Sequence, residues 1–140
     1  MIVLLVDSET VPPLGSTADP KLRGSHLKAN DNWPICAADQ PAVHFMAQCM
    51  ETWFCASPDA LERYFGQGFN TAKLPVRTNL EEEPKDDVLA KLAQAAEGSR
   101  KRRYHKIDDA SRLLALVDPV AIASRCLHFK TFVDFVDRQI

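Results

Sequence analysis

The chain opens on an uninterrupted apolar run, Ile2-Val3-Leu4-Leu5-Val6, that stops abruptly at Asp7-Ser8-Glu9. Leucyl and β-branched residues without polar alternation predict a strand buried on both faces, as in a parallel sheet covered by helices. Side chains two apart on a strand point the same way, so Asp7 and Glu9 project together from its carboxyl end. Open α/β sheets place their ligands at that end. A second strand is predicted over Val43 to Cys49, with Ala42, His44, Met46 and Gln48 alternating against Val43, Phe45, Ala47 and Cys49. Between the two, residues 11–41 hold five of the nine prolines and two of the five glycines, which predicts a long connection with little regular structure. It carries Lys21, Arg23, His26 and Lys28, which would reach toward an anionic ligand held near Asp7; the alternative is a solvated surface loop pinned by Trp33.

The remaining pattern is helical. Met50 to Phe54 begins a helical turn. Ser57-Pro58-Asp59 reads as a helix start, with Ser57 as N-cap and Gly66 as the stop. Residues 67–78 read as irregular. Lys85 to Glu97 follows the acidic run Glu81-Glu82-Glu83 and places Val88, Leu89, Leu92 and Ala96 on one face. Asp108-Asp109 opens a helix through Val117, Asp118-Pro119 opens a shorter one, and Phe129 to Arg138 carries a stripe of Phe129, Phe132, Val133 and Val136. The pattern predicts an α/β fold over residues 1–140 as one domain: a small, mostly parallel sheet with flanking helices and a helical carboxyl-terminal half.

Composition narrows the function. With 46% hydrophobic and 26% charged residues, a packed core is expected rather than disorder. The net charge of -2 gives no global basic field, so nucleic-acid affinity must come from a local patch. The sharpest cluster is Arg100-Lys101-Arg102-Arg103-Tyr104-His105-Lys106. No apolar segment approaches the roughly 18 residues of a membrane span, and the amino terminus lacks the marks of a signal peptide. The cysteines Cys36, Cys49, Cys55 and Cys126 form no C-x-x-C pair, and the histidines have no zinc-finger spacing. Free thiols in a reducing, cytoplasmic setting are expected. Because the chain begins inside an apparent central strand, an amino-terminally shortened protein is expected; the alternative is an edge strand, or one covered by another subunit of a homo-oligomer.

Asp7 and Glu9 are the candidate chemical pair. Converging carboxylates need hydrogen bonds or a neutralising charge, and a hard cation such as Mg²⁺ supplies one. The bland alternative makes Asp7 a turn or cap residue and leaves Glu9 in solvent.

Three blocks carry a resemblance: Leu4-Leu5-Val6-Asp7-Ser8-Glu9, His44 to Phe54 with its Met50-Glu51-Thr52-Trp53-Phe54 core, and Tyr104-His105-Lys106 followed by Leu113-Leu114 and Asp118-Pro119. Together they resemble a bacterial family known as domain of unknown function 4276. The resemblance implies a fold similar to the Toprim domains of topoisomerases, primases and related nucleases, which bind Mg²⁺ through an acidic pair after a strand. Asp7 and Glu9 match that pair. Such domains also use a glutamate from a preceding strand, which this chain does not include, and Ile107 stands where glycine is expected.

Two readings follow. In the first, the chain is a Mg²⁺-dependent nuclease or phosphoryl-transfer protein of Toprim type acting on nucleic acid, with anti-phage defence as the setting that the resemblance suggests. Asp7 and Glu9 hold the metal, and Glu51 is a third carboxylate if its helix start faces the same crevice. Lys85 and Lys106 stabilise phosphate oxygens, Arg100, Lys101, Arg102 and Arg103 hold the nucleic-acid backbone, and Tyr104 stacks a base. In the second, it is a non-catalytic interaction module whose basic run docks an acidic partner, such as an ATPase, or an inert gene fragment.

Overall fold

A computed structural model describes residues 1–140. Strand β1 (Leu4–Asp7) and strand β2 (Val43–Met46) pair in parallel, with Leu4 opposite Val43 and Asp7 opposite Met46. Helix α1 (Pro20–Asp31) makes the crossover that a parallel pair requires. Helices α2 (Glu51–Cys55), α3 (Pro58–Phe65), α4 (Lys85–Ala96), α5 (Lys106–Leu114), α6 (Pro119–Arg125) and α7 (Leu127–Gln139) complete the chain. The architecture is α/β: a small parallel sheet, flanking helices and a helical carboxyl-terminal half. No helix is long and apolar enough to cross a membrane.

The pleat sorts the strand residues onto two faces. Leu4, Val6, Val43 and Phe45 pack with Leu27 of α1 and Ala47 in a small cluster. Leu5 and Met46 pack on the other side against the main core, which is built from α2 to α7. His44 lies on that side too, 5.6 Å from the Phe132 ring and 4.8 Å from the Phe135 ring of α7.

Three expectations are corrected. First, β1 is not a central strand buried on both faces; it is half-buried along its length and pairs with β2 alone. Its alternate residues serve two different clusters, and neither covers it fully. Pairing continues beyond the strands, however, through Ser8 N–H to Met46 O (3.2 Å) and Glu9 N–H to Gln48 O (2.8 Å).

Second, the 11–41 connection is not irregular, because α1 fills its middle. Asp19 caps the helix by accepting from Lys21 N–H at 2.9 Å, Pro20 occupies the first turn, and Asn32 ends it in the left-handed conformation. Hydrophobic periodicity misses this helix because its buried face is Arg23, Gly24, His26 and Leu27. The Arg23 guanidinium donates to Val43 O at 2.5 Å and Ser16 O at 2.6 Å. The face is polar, but its polarity is satisfied by backbone carbonyls.

Third, the Ser57 side chain does not cap α3. Its hydroxyl oxygen accepts from Asp118 N–H at 3.1 Å, which ties the head of α3 to the head of α6. Asp118 caps α6 as its sequence signature predicts, accepting from Val120 N–H at 3.0 Å. Gly66 does end α3, with φ 84°.

Candidate functional site

The acidic pair stands at the carboxyl end of β1, where the pairing with β2 runs out. Asp7 is the last strand residue, and its Oδ1 accepts the Met50 N–H at 2.9 Å, at the head of α2. Glu9 follows two residues later with φ 65°, a left-handed conformation. Asp7 and Glu9 line one crevice of about 320 Å³, together with Asp31, Trp33, Met50 and Lys106. The two carboxylates therefore share a space, and Asp7 also performs the capping role that the bland reading assigned to it.

Two lysines converge on this pair. Lys85 Nζ pairs with Glu9 Oε2, and Lys106 Nζ lies 3.6 Å from Asp7 Oδ2. Lys85 is the first residue of α4 and Lys106 the first of α5. A cation at a helix N-terminus opposes the helix dipole, so neither position is explained by helix stability. Both are explained by the carboxylates they meet. The bond to Glu9 holds the Lys85 ammonium above its ordinary pKa.

Electrostatics at Asp7 are unfavourable for its charge. Burial pushes its pKa up, and the nearby Glu51 and Glu9 carboxylates push the same way; Lys106 and the Met50 N–H oppose them. A carboxylate in this position favours any additional cation that enters the crevice.

The other candidate residues are placed as follows. Glu51 is buried at 2% exposure, and its Oε1 accepts the Tyr104 hydroxyl at 2.9 Å. It starts α2 but does not line the crevice, so it joins Asp7 through its field rather than through a shared ligand space. Tyr104 is half-buried, with its ring edge-on to Phe54 at 6.1 Å and its hydroxyl held by Glu51. Burial and that carboxylate raise its pKa. The aromatic ring that faces the crevice is instead Trp33, half exposed. Sequence reasoning gave Trp33 only a pinning role and passed over Asp31, because both follow from the unforeseen α1.

Arg100, Arg102 and Arg103 line a groove of about 840 Å³ with Gln67, Glu97, Gly98 and Ser99, and no hydrophobic residue lines it. Backbone N–H groups tie the run to the end of α3, the loop after it and the segment after α4: Arg100 N–H donates to Gln67 O (3.1 Å), Lys101 N–H to Phe65 O (3.4 Å) and Arg102 N–H to the Ser99 hydroxyl (3.0 Å). Arg102 itself turns left-handed, with φ 63°. Lys101 folds back over the Tyr64 ring, 4.4 Å from its centroid, and so contributes less to the groove. Only Tyr104 and His105 separate Arg103 from Lys106, about 10 Å of extended chain.

Whether Mg²⁺ suits this donor set can be tested from its chemistry. No group of three or more His, Cys, Asp or Glu side chains forms a protein cage. Mg²⁺ does not require one, since it keeps several waters and binds through one or two carboxylates plus substrate phosphate. Asp7 and Glu9 fit that mode, and a tight all-protein site does not fit. The model of one protein family, described as Domain of unknown function (DUF4276), matches residues 1–137. No curated protein and no solved structure matches the chain.

Proposed function

The chain belongs to the family described as domain of unknown function 4276, and from that premise we propose that it is a Mg²⁺-dependent, Toprim-type phosphoryl-transfer protein acting on nucleic acid. The observation that carries the reading is the shared crevice of Asp7 and Glu9 at the end of β1, with a lysine delivered to each carboxylate from a helix start. Asp7 and Glu9 would hold the cation. When bound, it would polarise a phosphate oxygen and lower the pKa of a water.

The chain's own residues then have defined work. A phosphate entering the crevice draws Lys85 and Lys106 away from the carboxylates and onto its oxygens. The Arg100, Arg102 and Arg103 groove holds the backbone without reading bases, and Trp33 offers a face on which a base can stack. In the test, purified protein is incubated with supercoiled plasmid and Mg²⁺ or Mn²⁺. Nicking is expected, and Asp7→Ala abolishes it. Nicking that survives Asp7→Ala refutes the assignment.

A second reading has one observation in its favour. The Lys85–Glu9 and Lys106–Asp7 pairs already neutralise the acidic pair internally. In that case the crevice is structural, and the protein is a non-catalytic module whose basic groove docks an acidic partner protein, such as an ATPase. Absence of metal-dependent nicking, combined with salt-sensitive binding to an acidic partner, supports this reading.

A further inference from the structure

Far apart in sequence, Ser16, Glu81 and His128 meet in the fold. Ser16 lies in the loop after β1, Glu81 in the 3₁₀ turn Leu80–Glu82, and His128 in the first turn of α7. The Ser16 hydroxyl is 2.8 Å from His128 Nε2, and His128 Nδ1 is 2.8 Å from Glu81 Oε1. Glu81 Oε2 accepts the His128 backbone N–H, also at 2.8 Å. With both carboxylate oxygens on one histidine, Nδ1 is the protonated nitrogen, and Nε2 presents its lone pair to the serine hydroxyl. This is the geometry of an activated nucleophile: nucleophile, base, and a carboxylate that orients the base.

A structural tie would account for one hydrogen bond, but four further features go beyond that. A pocket of about 190 Å³ opens on the group, lined by Pro12, Gly15, Ser16, Thr17, Asn79 and His128 among others. Gly15, with φ 85°, makes the sharp turn that precedes Ser16. The Ser16 backbone is clamped on both sides, its N–H donating to Pro13 O at 3.0 Å and its carbonyl accepting from Arg23 at 2.6 Å. The Thr17 N–H, on the residue after the serine, donates to no protein acceptor. A nucleophile needs an immobile backbone, and the oxygen of a tetrahedral intermediate needs a free donor of this kind.

We propose that Ser16, His128 and Glu81 form a second, metal-independent site that hydrolyses esters of small acyl groups. The pocket holds only about 190 Å³, so the acyl group is small. Ser16 Oγ bonds to the ester carbonyl carbon while its proton passes to His128 Nε2. The carbon–oxygen bond to the leaving group breaks, and the leaving oxygen takes that proton. Water then attacks the acyl-serine by the same route, releasing the acid and restoring Ser16. Glu81 stabilises the transient imidazolium.

The test uses the full chain in EDTA, which separates this site from the acidic crevice. Diethyl p-nitrophenyl phosphate is the covalent probe and p-nitrophenyl acetate the substrate. Intact mass and peptide mapping are expected to show one phosphoryl adduct, on Ser16, and p-nitrophenyl acetate is expected to slow its formation. Ser16→Ala removes the adduct, and His128→Gln slows it about a hundredfold, with circular dichroism confirming the fold of each variant. No adduct on Ser16 in the unsubstituted protein overturns the proposal, and so does an equal rate in folded His128→Gln. If the variants do not fold, the presence or absence of the Ser16 adduct in the unsubstituted chain decides.

Discussion

Glu9 adopts a backbone conformation that residues with a Cβ rarely hold, and a glycine there would be easier for the chain. What the glutamate adds is a carboxylate in the crevice with Asp7, and the proposed metal role gives a reason for the strained conformation. His44 shows the opposite case, a titratable side chain used for packing. Burial, then the positive charge of Arg23, push its pKa down from the ordinary 6.5 to about 4. Its Nε2 has no hydrogen-bond partner, and Phe132 and Phe135 cover the ring. Between pH 6.5 and 4 the unfolded chain binds a proton at His44 that the folded chain does not. Stability from this residue is therefore complete above 6.5 and falls as pH drops toward 4, by about 3 kcal/mol in all. Thermal melts across that range should show His44→Leu with a shallower pH dependence than the unsubstituted protein; equal slopes would contradict this assignment. The alternation around His44 in β2 is legible in the sequence, but the aromatic lid over it is not, because Phe132 and Phe135 lie nearly ninety residues away.

At the scale of elements, the basic groove depends on a close approach between the loop after α3 and the end of α4. Gly68 has φ 92°, and a Cβ on it would run into the Gly98 carbonyl group. Gly68→Ala is expected to cost about 2–4 kcal/mol, read as a lowered urea midpoint, and to weaken nucleic-acid binding by disturbing Arg100 to Arg103. A variant as stable as the parent would show that the approach is not tight. Elements with an apolar face were readable from sequence: both strands, α3 with its Gly66 stop, α4 and α7. Helix α1 was not, since its inward residues are polar and reveal themselves only through the carbonyls they reach. The same holds for the site. Asp7 follows from strand geometry, but Glu9 lies beyond the end of β1 and reaches the crevice through a left-handed turn rather than by strand alternation; Asp31 and Trp33 depend on α1, and the withdrawal of Glu51 depends on Tyr104 from another part of the chain.

For the molecule as a whole, the net charge of -2 conceals a separation of charge. Arg103 of the arginine-lined groove stands three residues before Lys106 of a crevice holding both signs. Binding to nucleic acid should therefore weaken with salt, mainly through the groove. Arg102→Ala with Arg103→Ala is expected to reduce the slope of log K against log salt by about 1.5–2. An unchanged slope would place the contact elsewhere. Asp7 faces like charges from two sides, while Lys85 and Lys106 pair with Glu9 and Asp7; under the proposed function a phosphate would draw the lysines off and leave the pair to a cation.

Binding of Mn²⁺ in the presence of a short oligonucleotide, followed by electron paramagnetic resonance on the full chain and corrected for the oligonucleotide alone, tests that account most directly. One Mn²⁺ per chain is expected, lost in Asp7→Asn and in Glu9→Gln while both variants remain folded. A chain that takes up no Mn²⁺, or variants that bind it as tightly as the parent, would contradict the account.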